Sequence, residues 1–315
     1  MFNQTRTAII AIALIIPLST IAIWNSSQSM EFTKTPLENQ KIVIFASFYP
    51  LYEFTKEVGQ DNVEVFLLVP PGVEPHEWEP SIKDIQRMQE SDLIIINGIG
   101  FENWVDNIHK INSNLTVVDT SYGIIPIKAS PESNSEILTD VYKEFKTDPH
   151  IWLNPIMVRV QIQNIANALI KLDPKNASYY QKNADSYKLK LEFLDKKIKD
   201  ELSKCNKKDF FAFHNAFSYF ALEYGLNQHT VLKSIDTLED PGPKDIQEVV
   251  DLAKTLETSV IFTEEFTNQK LSQVIADETG SKLLVLSPIE FGDENRTYLE
   301  RMEQNLANLK EALCN

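Results

Sequence analysis

Residues 173–204 read DPKNASYYQKNADSYKLKLEFLDKKIKDELSK, and from Lys175 to Lys204 the chain runs thirty residues without proline or glycine. Asp173-Pro174 is a helix-start signal. Apolar positions Tyr180, Tyr187, Leu191, Leu194 and Ile198 then recur at helical spacing. A helix of that length spans about 45 Å at 1.5 Å per residue, which makes it a stiff spacer and not a flexible linker. The stretch before it, Asn154 to Leu172, reads as a second helix, with Asn154 as N-cap and Pro155 at the first helical position.

On either side of these helices the pattern changes to short apolar runs. Upstream lie Ile42–Ala46, Val63–Val69, Leu93–Asn97 and Leu115–Asp119, with amphipathic stretches such as Leu51–Val58 and Ile82–Glu90 between them. Downstream lie Phe210–Phe213, Thr230–Leu232, Val260–Thr263 and Lys282–Ser287, separated by helical stretches including Lys244–Leu256 and Asn268–Thr279. Continuous Val/Ile-rich runs suit parallel strands buried on both faces. The expected fold is therefore α/β, with two four-stranded parallel-sheet domains joined by one long rigid helix. The expected boundaries are 41–173 for the first domain, 174–204 for the helix and 205–315 for the second domain.

The 315 residues are 43 % hydrophobic and 24 % charged, a globular composition, with a net charge of −15. So acidic a chain is a poor match for nucleic-acid phosphates, and its field concentrates cations. At the amino end a short polar segment with one positive charge precedes the seventeen-residue apolar run Ala8–Trp24. Residues 1–24 read as a signal peptide or membrane anchor, and 25–40 as a polar linker. The first cysteine is Cys205, so no lipidation cysteine follows the apolar run. The expected location is extracytoplasmic, either attached to the membrane or secreted. In that setting Cys205 and Cys314 are expected to form one disulfide. Asn-x-Ser/Thr sequons stand at Asn25, Asn114, Asn176 and Asn295. Residues Ala129–Lys146 read as a polar surface loop.

Five histidines are present: His76, His109, His150, His214 and His229. His76 follows the second strand in PPGVEPHEWEP, His150 precedes a helix in DPHIWLNP, and His214 follows the fifth strand in FFAFHNAF. Ligands of open α/β sheets bind at the carboxyl ends of the strands. Pro75 and Pro149 stiffen the loops at two of these histidines, which lowers the ordering cost of a metal site. Trp78 and Trp152, each two residues beyond a histidine, can supply an apolar surround. Taken singly, each histidine also reads as a hydrogen-bonded loop residue; three in such settings point to a metal. His109 and His229 read as a surface helix position and a strand neighbour.

PPGVEPHEWEPSIKDI, SDLIIINGIGFENWV, DPHIWLNP, FFAFHNAFSYFALEYGL, EDPGPKDIQEVVDL and VIFTEEFTNQKLSQVIADETGSKLLVLSP together resemble, in order and spacing, the zinc/manganese solute-binding proteins of ABC importers. The resemblance runs from about Lys41 to Leu313. It implies two α/β domains with the metal in the cleft between them, a membrane permease as partner, and no bond made or broken. It also implies metal ligands at His76, His150 and His214, a set that goes with the zinc branch. A monomer is expected. Manganese or iron transport stays open, and so, in other classes, do a surface adhesin and a zinc hydrolase, although no HExxH pair occurs.

The fourth ligand is open as well. The family's usual aspartate falls where Arg296 and Thr297 stand. Glu265, just past the strand Val260–Thr263, is the residue assigned to the metal with the three histidines, directly or behind a bound water. Asp293 is the other candidate.

Overall fold

A computed structural model describes residues 41–111, 115–127, 147–232, 241–265, 269–293 and 295–314. The apolar run Ala8–Trp24, the sequons at Asn25 and Asn114, and the loop Ala129–Lys146 lie outside the described residues, as does the side chain of His109.

The first domain is built from β1 (Ile42–Ala46), α1 (Tyr49–Gly59), β2 (Val63–Leu67), α2 (Ile82–Met88), β3 (Leu93–Ile96), α3 (Val105–Ile111) and β4 (Val117–Asp119). Then come α4 (Pro155–Leu172) and α5 (Ala177–Leu202). The second domain follows as β5 (Asp209–Ala212), α6 (Ser218–Tyr224), β6 (Asn227–Thr230), α7 (Pro243–Thr255), β7 (Val260–Thr263), α8 (Lys270–Thr279), β8 (Lys282–Val285) and α9 (Tyr298–Leu313). Both sheets are wholly parallel, ordered β2-β1-β3-β4 and β6-β5-β7-β8. Every residue of β3 and of β7 is buried, as helices on both faces of a parallel sheet require.

The sixth strand lies at Asn227–Thr230, three residues before the apolar run expected to form it. It is the sheet's edge, half-buried, and its sequence Asn-Gln-His-Thr carries no apolar signal. Val231 and Leu232, which do, are buried just beyond its end.

Asn154 caps α4 as expected, its side chain accepting the Ile156 amide at 2.9 Å. The long helix is 26 residues, about 39 Å. Pro174–Asn176 is a separate 3-10 turn ahead of it. It does not stand free between the domains. Its buried seam of Tyr180, Ala184, Tyr187, Leu191, Leu194, Ile198 and Leu202 lies along both of them. Near its start Asn183 donates to the Val58 carbonyl (3.0 Å). Near its end Glu201 pairs with Lys310 (2.6 Å), and Asp195 accepts the Tyr224 hydroxyl (2.9 Å). One apolar core thus runs from Ile44 and Phe54 through Leu191 to Phe210 and Leu309.

Other bonds tie the domains directly. The Trp152 indole donates to the Pro288 carbonyl (2.8 Å), and the Tyr298 hydroxyl donates to the Trp152 carbonyl (2.7 Å). Glu53 of α1 accepts the first amide of α9, from Tyr298, at 2.8 and 2.9 Å. Opening such an interface costs about 1.5–3 kcal/mol for each large apolar side chain exposed. Metal loading is therefore expected to move loops and not whole domains. Scattering curves recorded with and without zinc should superimpose; a large rigid-body closure would contradict this.

Cys205 and Cys314 form a disulfide, with Cα atoms 4.2 Å apart. It joins the end of α5 to the end of α9.

Candidate metal centre

The carboxyl ends of the two sheets face a common cleft. His76 comes from the loop after β2, and His150 from the turn before α4. His214 lies two residues past β5, and Glu290 five residues past β8. All four are buried, His150 and His214 completely.

Their ligand atoms converge. His150 Nε2 lies 3.2 Å from His76 Nε2 and 3.3 Å from His214 Nε2. Glu290 Oε1 is 3.4, 3.6 and 3.6 Å from the Nε2 atoms of His76, His150 and His214. All four atoms fall within 4.8 Å of one another. Donors about 2.0–2.1 Å from a tetrahedral Zn²⁺ stand about 3.3 Å apart, close to the five separations of 3.2 to 3.6 Å.

Two of the three rings, His150 and His214, are aimed by carboxylates. Asp148 Oδ1 accepts both His150 Nδ1 (2.8 Å) and the His150 amide (2.9 Å). Glu264 Oε1 does the same for His214, at 2.7 and 3.1 Å. With the proton on Nδ1, each Nε2 turns a lone pair to the centre. Lone pairs at such distances repel unless a proton or a metal cation lies among them. Glu290 Oε1 is buried and turned toward the three imidazoles at 3.4 to 3.6 Å. A buried carboxylate oxygen in that setting suits a metal ligand. Phe101 and Trp152 pack on His76 and His150, with ring centroids 4.8 and 5.0 Å away, and keep water out. Trp78 packs edge-on to Trp104 (5.7 Å).

The His150 loop is also held from the first sheet. Glu102, buried past β3, accepts Ser47 Oγ (2.6 Å) and the amides of Asn97 (2.7 Å) and Gly98 (3.0 Å). Asn97 Nδ2 in turn donates to the Pro149 carbonyl (2.9 Å). Burial pushes the Glu102 carboxyl up to about 7, against the pull of those hydrogen bonds.

Burial disfavours a charged imidazole at all three histidines, and at His76 it prevails and lowers the pKa. At His150 the Asp148 charge overcomes it, and at His214 the Glu264 and Glu290 charges do, pushing His214 up to about 9. Burial alone would raise Glu290, yet the imidazoles hold it well below the usual carboxylate range.

The matching family model is ZnuA, "Zinc-uptake complex component A periplasmic", which covers residues 44–312. The chain belongs to the ZnuA family. A relative from Bacillus subtilis, the high-affinity zinc uptake system protein ZnuA, is 35 % identical over 284 residues, covering 88 % of this chain and 89 % of its own. Among solved structures, the Zn(II)-bound ZnuA-like domain of Streptococcus pneumoniae AdcA matches with a TM-score of 0.75 and 30 % identity. That match covers 88 % of this chain and all of that one. The laminin-binding protein Lmb of Streptococcus agalactiae, described as bifunctional with adhesin and metal-transporting activity, matches at TM-score 0.78. It is 31 % identical and covers 87 % of this chain and 99 % of that one.

In this ZnuA-family chain the structure brings His76, His150 and His214 together, and Glu290 stands at the fourth corner. Glu265 is not in the cluster. It pairs with the buried guanidinium of Arg301, with Arg296 (3.3 Å) and with the Ser287 hydroxyl. Asp293 pairs with Arg296 at 2.7 Å. Thr297, which aligns with the family's usual aspartate position, caps α9. His229 pairs with Asp209 (2.9 Å) away from the site. Glu290 is not among the sequence candidates, although Ser287-Pro288-Ile289-Glu290 carries a signal: an acid just past the last strand, at the same sheet edge as His214. Glu264 and not its neighbour Glu265 faces the site, because successive residues past a strand face opposite ways and sequence does not say which faces in.

A proton on His214 below about pH 9 has to leave when a metal takes its Nε2. Apparent zinc affinity should therefore rise with pH, by up to about tenfold per unit for each displaced proton between pH 6 and 8. Calorimetric titration in buffers of different ionisation heat should detect proton release. Equal affinity at pH 6 and 8 would contradict this account of the electrostatics.

Proposed function

We propose that this chain is the extracytoplasmic zinc-binding component of an ABC importer. It captures one Zn²⁺ and delivers it to a membrane permease. The observation that carries the reading is the buried cluster of three imidazoles and one carboxylate whose ligand atoms all lie within 4.8 Å of one another. Three nitrogens and one oxygen at four corners suit Zn²⁺, whereas Mn²⁺ prefers six oxygen-rich positions. Glu290 supplies the negative charge that three neutral imidazoles lack, which lowers the cost of holding a dication in a buried cleft.

No bond is made or broken in this role. Catalytic zinc keeps a corner open for water or substrate; here the protein offers a donor for each corner. His76 and His150 come from the first domain, residues 41–173, and His214 and Glu290 from the second, residues 205–315, with 174–204 as the helix between. None of the described helices is long and apolar enough to cross a membrane. Membrane attachment or export is assigned to the segment 1–24.

Metal analysis of protein purified without chelator or nickel resin, followed by competition titration with Zn²⁺ and Mn²⁺, tests the reading. One tightly held zinc per chain, not displaced by manganese, is expected. Preference for manganese would replace it with the manganese or iron role.

A further inference from the structure

Residues 286–290, which bring Glu290 to the site, belong to no strand or helix, so their backbone must find partners elsewhere. One face of α9 provides partners for Ser287 and for the flanking Val285 and Phe291. Asn308 donates to the Val285 carbonyl (2.7 Å). Asn305 accepts the Ser287 amide (2.8 Å) and donates to the Ser287 carbonyl (2.7 Å). Arg301 Nη1 donates to the Phe291 carbonyl, immediately after Glu290. Positions 301, 305 and 308 share a face by helical spacing.

Arg301 is 1 % exposed, which is rare for arginine, and both of its terminal nitrogens are bonded while Nε has no hydrogen-bond partner among the described residues. Its Nη2 meets Glu265 and Ser287 Oγ (2.8 Å), and its guanidinium lies 5.7 Å from the centroid of the Tyr49 ring. Ser287 Oγ also accepts the Ile289 amide (3.1 Å).

Ile289 explains why so much is invested here. Its φ is +59°, a left-handed conformation that a β-branched side chain strongly resists. Such strain persists only where the surroundings over-determine it. The Trp152 indole fixes the carbonyl before Ile289, and Arg301 fixes the carbonyl of Phe291 beyond Glu290. Gly292 lets this turn lie against the first domain, since a Cβ there would come within 3.1 Å of the Tyr49 ring.

We propose that Arg301 is a positioning residue for zinc: by clamping the Phe291 carbonyl to Ser287 and Glu265, it holds the Glu290 carboxylate against the three imidazoles. The inference rests on the reading of Glu290 as a zinc ligand. It gives Glu265 a part in binding through Arg301, without contact to the ion.

The test is zinc affinity of the purified chain, wild type against Arg301→Met, Arg301→Lys, Ser287→Ala, Glu290→Gln and the Arg301→Met/Glu290→Gln double variant. Loss of a group that orients a metal ligand typically costs about 10- to 100-fold, and Arg301→Met should fall in that range. Lysine, a point charge without the planar fork, should recover only part of it. In the Glu290→Gln background, Arg301→Met should cost less than about twofold more, because its effect passes through Glu290. Co²⁺ loaded in place of zinc should lose its tetrahedral visible absorption in Arg301→Met. An equal Arg301→Met loss with and without Glu290 would show a general packing role and overturn the proposal. If Arg301→Met does not fold, Ser287→Ala decides, since it keeps the charge and removes one point of the clamp. Unchanged affinity in Ser287→Ala would then overturn it. Wild-type affinity in Arg301→Met alongside a weakened Glu290→Gln would sink the positioning role and leave the site reading intact. Wild-type affinity in Glu290→Gln would sink both.

Discussion

His214→Ala is expected to weaken zinc binding by more than about a hundredfold, beyond the range typical of losing a group that merely orients a ligand. His214 is completely buried, and its Nε2 stands 3.3 Å from His150 Nε2 and 3.6 Å from Glu290 Oε1. Alanine removes a nitrogen donor that no neighbour can replace, and Glu264 loses the imidazole it orients at 2.7 Å. Glu264→Gln should fall between the variants, since an amide oxygen still accepts the Nδ1 proton but no longer raises the basicity of the ring. Glu265→Gln should change least. Its oxygen still serves Arg301, and its lost charge is felt only across that contact. Competition with a chromophoric chelator measures all three, and thermal melts of the metal-free proteins separate binding from folding. A His214→Ala loss no greater than that of Glu265→Gln would remove His214 from the ligand set.

Breaking the Cys205–Cys314 bond should produce the largest change in stability. The two cysteines are 109 residues apart, and the chain-entropy model assigns a loop of that order about 5 kcal/mol at most. Cys205→Ser/Cys314→Ser should lower the melting temperature by roughly 10 °C. Zinc affinity should hardly change, because the bond ties α5 to α9 just ahead of β5, at the opposite end of that strand from His214. A melting temperature within about 2 °C of the wild type would show that the native contacts around Leu202 and Leu313 already hold these ends together.

Much of the fold was legible along the chain because its signals are local. Ile42–Ala46 and Val260–Thr263 form strands at the expected residues, since continuous apolar runs between turns have few other ways to be buried. Asn154-Pro155 starts α4 through capping chemistry that involves only neighbouring residues. The edge strand β6 lies ahead of its expected residues for the complementary reason: at a sheet edge the backbone ladder and not side-chain burial makes the strand, and Asn227–Thr230 carries no apolar mark.

Three of the four cluster residues were legible too, because histidines are few and each sits beside a proline or just past a strand. The fourth corner was decided by tertiary structure alone. Glu264, Glu265, Glu290 and Asp293 are all acids near the carboxyl edge of one sheet, and sequence ranks them only by distance from a strand. What separates them is the backbone between: a left-handed Ile289, a Trp152 indole from the other domain and a buried Arg301 turn Glu290 inward, while the same arginine draws Glu265 away. Those contacts join residues from 10 to 136 positions apart. Strand, cap and helix follow from interactions within a few residues, so the sequence alone determined them; which carboxylate meets the histidines depends on where distant side chains pack, and only the folded chain decides that.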